Sequence, residues 1–152
     1  MGFLTGKTAI ITGAGRAVLK DGSCGSIGYG IATAYAKEGA NLVITGRNVK
    51  KLEAAKQELE SLYGIKVLTV QADVCAGGDN EATVANVVKQ AVDTFGGIQV
   101  LINNAQASAS GVPLAEHTTE QFDLAIYSGL YAAFYYMKAC YPCLLYTSDA
   151  AD

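Results

Sequence analysis

The stretch KTAIITGAGRAVLKDGSCGSIGYGIATAYAKEGA, Lys7 to Ala40, decides the fold. Its first part, Lys7 to Thr12, is a short apolar, β-branched run that stops at Gly13, the signature of a buried strand. A long glycine-rich turn follows. In the last part Ile27, Ile31, Ala34 and Tyr35 recur at helical spacing and form the expected inner face, and Gly39 closes the helix. A buried strand, a glycine turn and a helix make the opening unit of a parallel sheet.

Outward from this unit the same alternation repeats. NLVITG is a second strand, and NVKKLEAAKQELESLYG an amphipathic helix with Leu52, Leu59 and Leu62 inward and Gly64 after its last turn. KVLTVQADV is a third strand. NEATVANVVKQAVDTFGG sets Val84, Val87, Val88, Ala91 and Phe95 on one face, and IQVLINNA is a fourth strand. TTEQFDLAIYSGLYAAFYYMKACYP reads as one long helix capped by Thr118 or Thr119. Strands alternating with helices of this length predict an α/β, Rossmann-like doubly wound parallel sheet, ordered 3-2-1-4 and ending after the fourth strand and its helix.

Bulk properties narrow the function classes. The 152 residues are 51% hydrophobic and 16% charged, so one domain with a real core is expected. A net charge of −3 without a basic block gives no surface for nucleic acid. Leu124 to Met137 is uncharged but only 14 residues long, short for a membrane span. No signal-peptide layout opens the chain, and the lone Met-Gly start is weak evidence for lipidation. The four cysteines, Cys24, Cys75, Cys140 and Cys143, and the single His117 offer no metal-ligand pattern. They read as reduced thiols, and the expected location is the cytoplasm.

Chemistry concentrates in the first turn. Ligands of doubly wound sheets lie outside the carboxyl ends of the strands, where strand order reverses. Glycines there let backbone N–H groups approach a pyrophosphate, and the following helix adds its positive end. Thr12, Gly13, Gly15, Ser26, Ile27 and Gly28 are the candidate ligand-binding residues of this turn.

Thr12, Gly13, Gly15, Gly25 and Gly28 resemble the T-G-x-x-x-G-x-G pattern of the short-chain dehydrogenase/reductase family. The spacing departs from it: fourteen residues separate Gly13 from Gly28, and Ser26 stands at the middle glycine. The insert Arg16 to Cys24 has two open readings, a cover that brings Arg16 or Lys20 near phosphate, or a solvated excursion. ADV resembles the family's adenine-contacting segment, here Asp73 and Val74. INNAQ resembles its N-N-A-G, here Asn103, Asn104 and Ala105 with Gln106 in the last place. The resemblance runs from about Gly6 to Tyr141 and implies hydride transfer between a nicotinamide dinucleotide and a ketone or secondary alcohol.

Cofactor choice is read at the second strand's end. An acidic residue there would accept the ribose hydroxyls and repel a 2′-phosphate. Gly46 holds that place and Arg47 follows, so NADP(H) is favoured over NAD(H). The resemblance further implies a small-molecule substrate and a homo-oligomeric parent.

The family's catalytic tyrosine and lysine, spaced Y-x-x-x-K, have no match in this sequence, and neither does the serine that follows a fifth strand. Gly129 falls where the family's helix carries an asparagine. No catalytic residue is therefore assigned. The last ten residues, CLLYTSDAAD, resemble a translated transposon-end sequencing adapter. That resemblance implies an incomplete dinucleotide-binding domain over 1–142, a non-native tail over 143–152, and an inactive fragment. Two other classes stay open: an enoyl-thioester reductase, from SIGYGIA, and a non-catalytic dinucleotide-binding sensor, from Gly129 and Gln106.

Overall fold

The computed structural model describes residues 2–75 and 80–148, the last two by backbone alone. Strand β1 (Thr8–Thr12) is buried at every position. It pairs in parallel with β2 (Asn41–Gly46) on one side and β4 (Val100–Ile102) on the other, and β3 (Val67–Gln71) pairs with β2. The order β3-β2-β1-β4 is the one the alternation predicts.

Side chains alternate across the sheet with the period of a strand. Ala9, Ile11, Leu42 and Ile44 point to one face, and Ile10, Val43 and Val70 to the other. Helices α1 (Ile27–Lys37) and α2 (Val49–Tyr63) cover the first face. Helices α3 (Asn80–Phe95) and α5 (Ala132–Ser148) cover the second. Each fully buried aliphatic side chain contributes roughly 1.5–3 kcal/mol, so the two faces carry the fold.

Two helix faces differ from the sequence pattern. In α1 the buried residues are Gly28, Tyr29, Ala32 and Ala36, whereas Ile27 is 76% exposed and Ala34 faces solvent. Small residues win because α1 lies close against the turn after β1, where Gly28 has no room for a side chain. In α2 the inner stripe is Leu52, Ala55 and Leu59, and Leu62 is exposed. The chain reverses at Gly64 in the left-handed region, and Tyr63 and Ile65 cover that end of the core instead.

The long last helix is also interrupted. Helix α4 (Thr119–Ile126), opened by a capping box on Thr118 and Gln121, passes through a π-helical turn at Tyr127–Tyr131 before α5. Nor does order end at Cys143: α5 continues through Pro142 to Ser148, and Cys143 and Leu144 pack against the second face. Residues 149–152 of the tail lie outside the described residues. No helix among the described residues is long and apolar enough to cross a membrane.

Candidate functional site

The mouth of the sheet is held together by Thr12 and Asn104. The Thr12 hydroxyl accepts from the backbone N–H of Asn104 and of Ala105, both at 2.9 Å. The Asn104 carboxamide donates back to the Thr12 carbonyl at 2.8 Å. These bonds lock the ends of β1 and β4 together, so Thr12 and Asn104 build the wall that Asn103 and Ala105 extend.

Gly13 follows with φ +70, and a methyl group there would meet Ala105 and the Asn104 amide at 3.1 Å. Gly28 is tighter still: a Cβ would lie 2.3 Å from the Gly13 carbonyl oxygen. The start of α1 is thereby seated on the turn. Ser26 caps this helix, its hydroxyl accepting from Tyr29 N–H, and the remaining first-turn N–H groups are the kind that receive an anion.

Two adjoining cavities run along this mouth. One, of about 220 Å³, is lined by Gly13, Gly46, Arg47, Asp73, Val74, Cys75, Asn104 and Ala105 among others. The next, of about 240 Å³, is lined by Gly13, Gly15, Ser26, Gly46, Arg47, Asn48 and Lys51 among others. Gly13, Gly46 and Arg47 belong to both, so the two form one groove. Ile27 stands exposed at the helix start, outside these linings. Asp73 accepts from Cys75 N–H at 2.9 Å. Burial, with Asp73 nearby, pushes the Cys75 thiol up. Gly13, Gly15 and Gly46 give the groove a backbone lining, and Gly46 contributes no charge beside Arg47.

The Arg16–Cys24 insert is a small hairpin. Val18 and Cys24 form an antiparallel bridge, Gly25 N–H donates to the Ala17 carbonyl at 2.7 Å, and Asp21 accepts from both Ser23 N–H and Ser23 Oγ. Arg16 clasps it to α2. Its N–H donates to the Lys51 carbonyl at 2.8 Å, and its guanidinium pairs with Glu58. The hydrogen bond from Arg16 holds the Glu58 carboxyl below the usual carboxylate range. Burial lifts the neighbouring Tyr29 hydroxyl above the usual phenol range, and Glu58 adds to that. Arg16 is thus turned to Glu58, and Lys20 is exposed on the hairpin.

The family model for short chain dehydrogenases matches residues 7–151. The chain belongs to the short-chain dehydrogenase family. Within this family of oxidoreductases it is 60% identical over 150 residues to the 12α-hydroxysteroid dehydrogenase of a Clostridium species, covering 99% of this chain and 55% of that protein. Among solved structures it resembles the L-sorbose reductase of Gluconobacter frateurii complexed with NADPH and L-sorbose, at 30% identity and a TM-score of 0.81, over 97% of this chain and 50% of that one. A metagenomic short-chain oxidoreductase in complex with NADP gives 27% identity and a TM-score of 0.80, over 95% and 59%. The chain therefore spans about half the length of the relatives it matches.

Sequence reading missed one part of this short-chain dehydrogenase site. Ser128, buried in the π-helical turn, accepts from Ala107 N–H and donates toward the Leu124 and Ala107 carbonyls, at 2.7 and 2.9 Å. A serine hydroxyl bonded back to the preceding turn bends a helix, and here it also ties the loop after β4 to α4. Beside it, Gln106 occupies the space above Gly129, where a Cβ would sit 3.2 Å from the Gln106 amide nitrogen. The signal available in the sequence was a serine and a glycine inside an otherwise apolar helix. The third cavity, of about 120 Å³, opens there between Thr12, Asn103, Gln106, Ser128 and Tyr136. Burial pushes the Tyr136 hydroxyl up to about 12, and the Thr45 hydroxyl near it pulls the other way without a bond of hydrogen-bonding geometry.

Proposed function

We propose that this chain is the dinucleotide-binding half of an NADP(H)-dependent hydroxysteroid dehydrogenase. The supporting observation is the combination of a groove lined by Gly13 and Gly15 with Gly46 and Arg47, rather than an acid, at the end of β2. Sixty per cent identity to a 12α-hydroxysteroid dehydrogenase supports a steroid as the carrier of the secondary alcohol.

The nicotinamide group, when bound, accepts or gives a hydride at the carbinol carbon. This chain's residues do the rest of the holding. Backbone N–H groups around Gly13 to Gly28 and the start of α1 would hold the pyrophosphate, Arg47 would pair with the 2′-phosphate, and Asp73 and Val74 would wall the adenosine end. Thr12 and Asn104 keep the mouth at fixed width. No tyrosine and lysine spaced Y-x-x-x-K stand among the 152 residues, so this chain by itself is expected to be inactive.

Arg47→Ala is expected to weaken NADPH binding at least tenfold and NADH binding little, read by titration calorimetry; an equal loss for both contradicts the cofactor preference. A parent protein carrying this half is expected to interconvert a 12α-hydroxysteroid and its 12-ketone with NADPH. Turnover of simple ketones but no steroid would contradict the substrate class. We also keep the adapter as the origin of residues 143–152; a gene that reads on through them into a fifth strand contradicts it.

A further inference from the structure

We infer that Lys51 is a second recognition residue for the 2′-phosphate, working with Arg47 as a pair. The inference rests on the NADP(H) reading above and deepens it by naming the residue that completes the charge.

Lys51 lies in the first turn of α2, and both of its backbone groups are fixed. Its N–H donates to the capping Asn48 carboxamide at 3.0 Å. Its carbonyl accepts from Arg16 N–H at 2.8 Å. Its Cβ rests under Gly15, where a methyl group would come within 3.1 Å of it. The side chain therefore leaves from a defined point on the floor of the groove that Gly13, Gly15 and Arg47 also line. No carboxylate pairs with Lys51 or Arg47 among the described residues. Arg47 is held from below in its turn, its carbonyl accepting from the Gln71 amide at 3.1 Å.

Three cations approach this end of the groove, and the structure sorts them. Arg16 is taken by Glu58, which cancels one positive and one negative charge at the groove's rim. Arg47 and Lys51 remain, and both line the same cavity. Two cations lining one cavity, with the groove's carboxylate, Asp73, confined to the adjoining cavity, suit a dianionic phosphate monoester. A neutral ribose hydroxyl, the NADH alternative, would gain far less from the second one.

The test uses the 152-residue chain and two probes that differ only in the group at issue, adenosine 2′,5′-bisphosphate and 5′-AMP, titrated by calorimetry. Lys51→Gln is expected to weaken the bisphosphate about five- to tenfold and to leave 5′-AMP within about twofold, with a shallower salt dependence for the bisphosphate. Lys51→Arg is expected to keep most of the affinity, since it keeps the charge. A Lys51→Gln protein that binds the bisphosphate as tightly as the parent overturns the inference while Arg47→Ala still weakens it. Equal weakening of both probes also overturns it, because Lys51 then only supports the groove. If the unsubstituted chain does not distinguish the two probes, the NADP(H) reading fails and this inference with it.

Discussion

The two sides of the sheet's mouth are built to different standards. On the β1–β2 side the strands are sealed: every residue of β1 and the four central residues of β2 are buried, and α1 and α2 close one face above them. On the β4 side all three strand residues are only half-buried; the outer edges of β3 and β4 both lack a strand partner among the described residues. The same contrast holds for the helices. Tyr29, Ala32, Leu52 and Leu59 are enclosed, whereas Leu130, Phe134, Met137 and Tyr141 stand open along the π-helical turn and α5. The adenosine side of the groove is thus finished by local contacts. The other side exposes apolar side chains along the π-helical turn and α5.

The sharpest way to break this contrast is Gly28→Val. Its side chain would drive into the Gly13 carbonyl and the Asn104 amide, so the turn and α1 must part. Loss of about 3 kcal/mol or more and of all dinucleotide binding is expected in a denaturant melt and a binding titration. Retained binding at parental stability would mean that helix and turn are not in contact.

A matched pair sharpens it next. Ile11 is fully buried in β1, and its register partner Ile102 in β4 is half-buried. Ile11→Ala is expected to cost about 2–5 kcal/mol, and Ile102→Ala less than half as much. Equal costs would erase the distinction between a sealed and an open side.

The smallest effect belongs to the Arg16–Glu58 clasp. The folded carboxyl of Glu58 titrates below its unfolded value, so its contribution is present above about pH 4.3 and lost as pH falls through the lowered value. Both partners are partly exposed, which keeps the effect small. Amide exchange of the Arg16–Cys24 hairpin is expected to quicken over that window before the sheet responds, and Glu58→Gln is expected to remove the pH step. A step that survives Glu58→Gln would place the clasp elsewhere.

Where the sequence was legible, the reason was periodicity joined to punctuation. Gly13, Gly64 and the β-branched strands announced the element order, and the sheet order followed from right-handed crossovers. Ile31, Tyr35, Leu52 and Leu59 do pack on the core as their spacing suggests, whereas Ile27 and Leu62, hydrophobic by type, sit exposed at helix ends. The Arg16–Glu58 pair spans 42 positions, and Ser128 reaches Ala107 across 21; no local pattern announces either. Arg47 is nominated by sequence alone because one position after a strand has a known meaning, whereas the candidacy of Lys51 depends on how α2 is docked under Gly15.

The most direct measurement is calorimetric titration of the chain with NADPH and with NADH under one salt condition. A single saturable site, tighter for NADPH by tenfold or more, is the expected result. No saturable heat with either nucleotide would contradict the claim that the glycine-lined mouth between Gly13 and Gly28 is a dinucleotide groove.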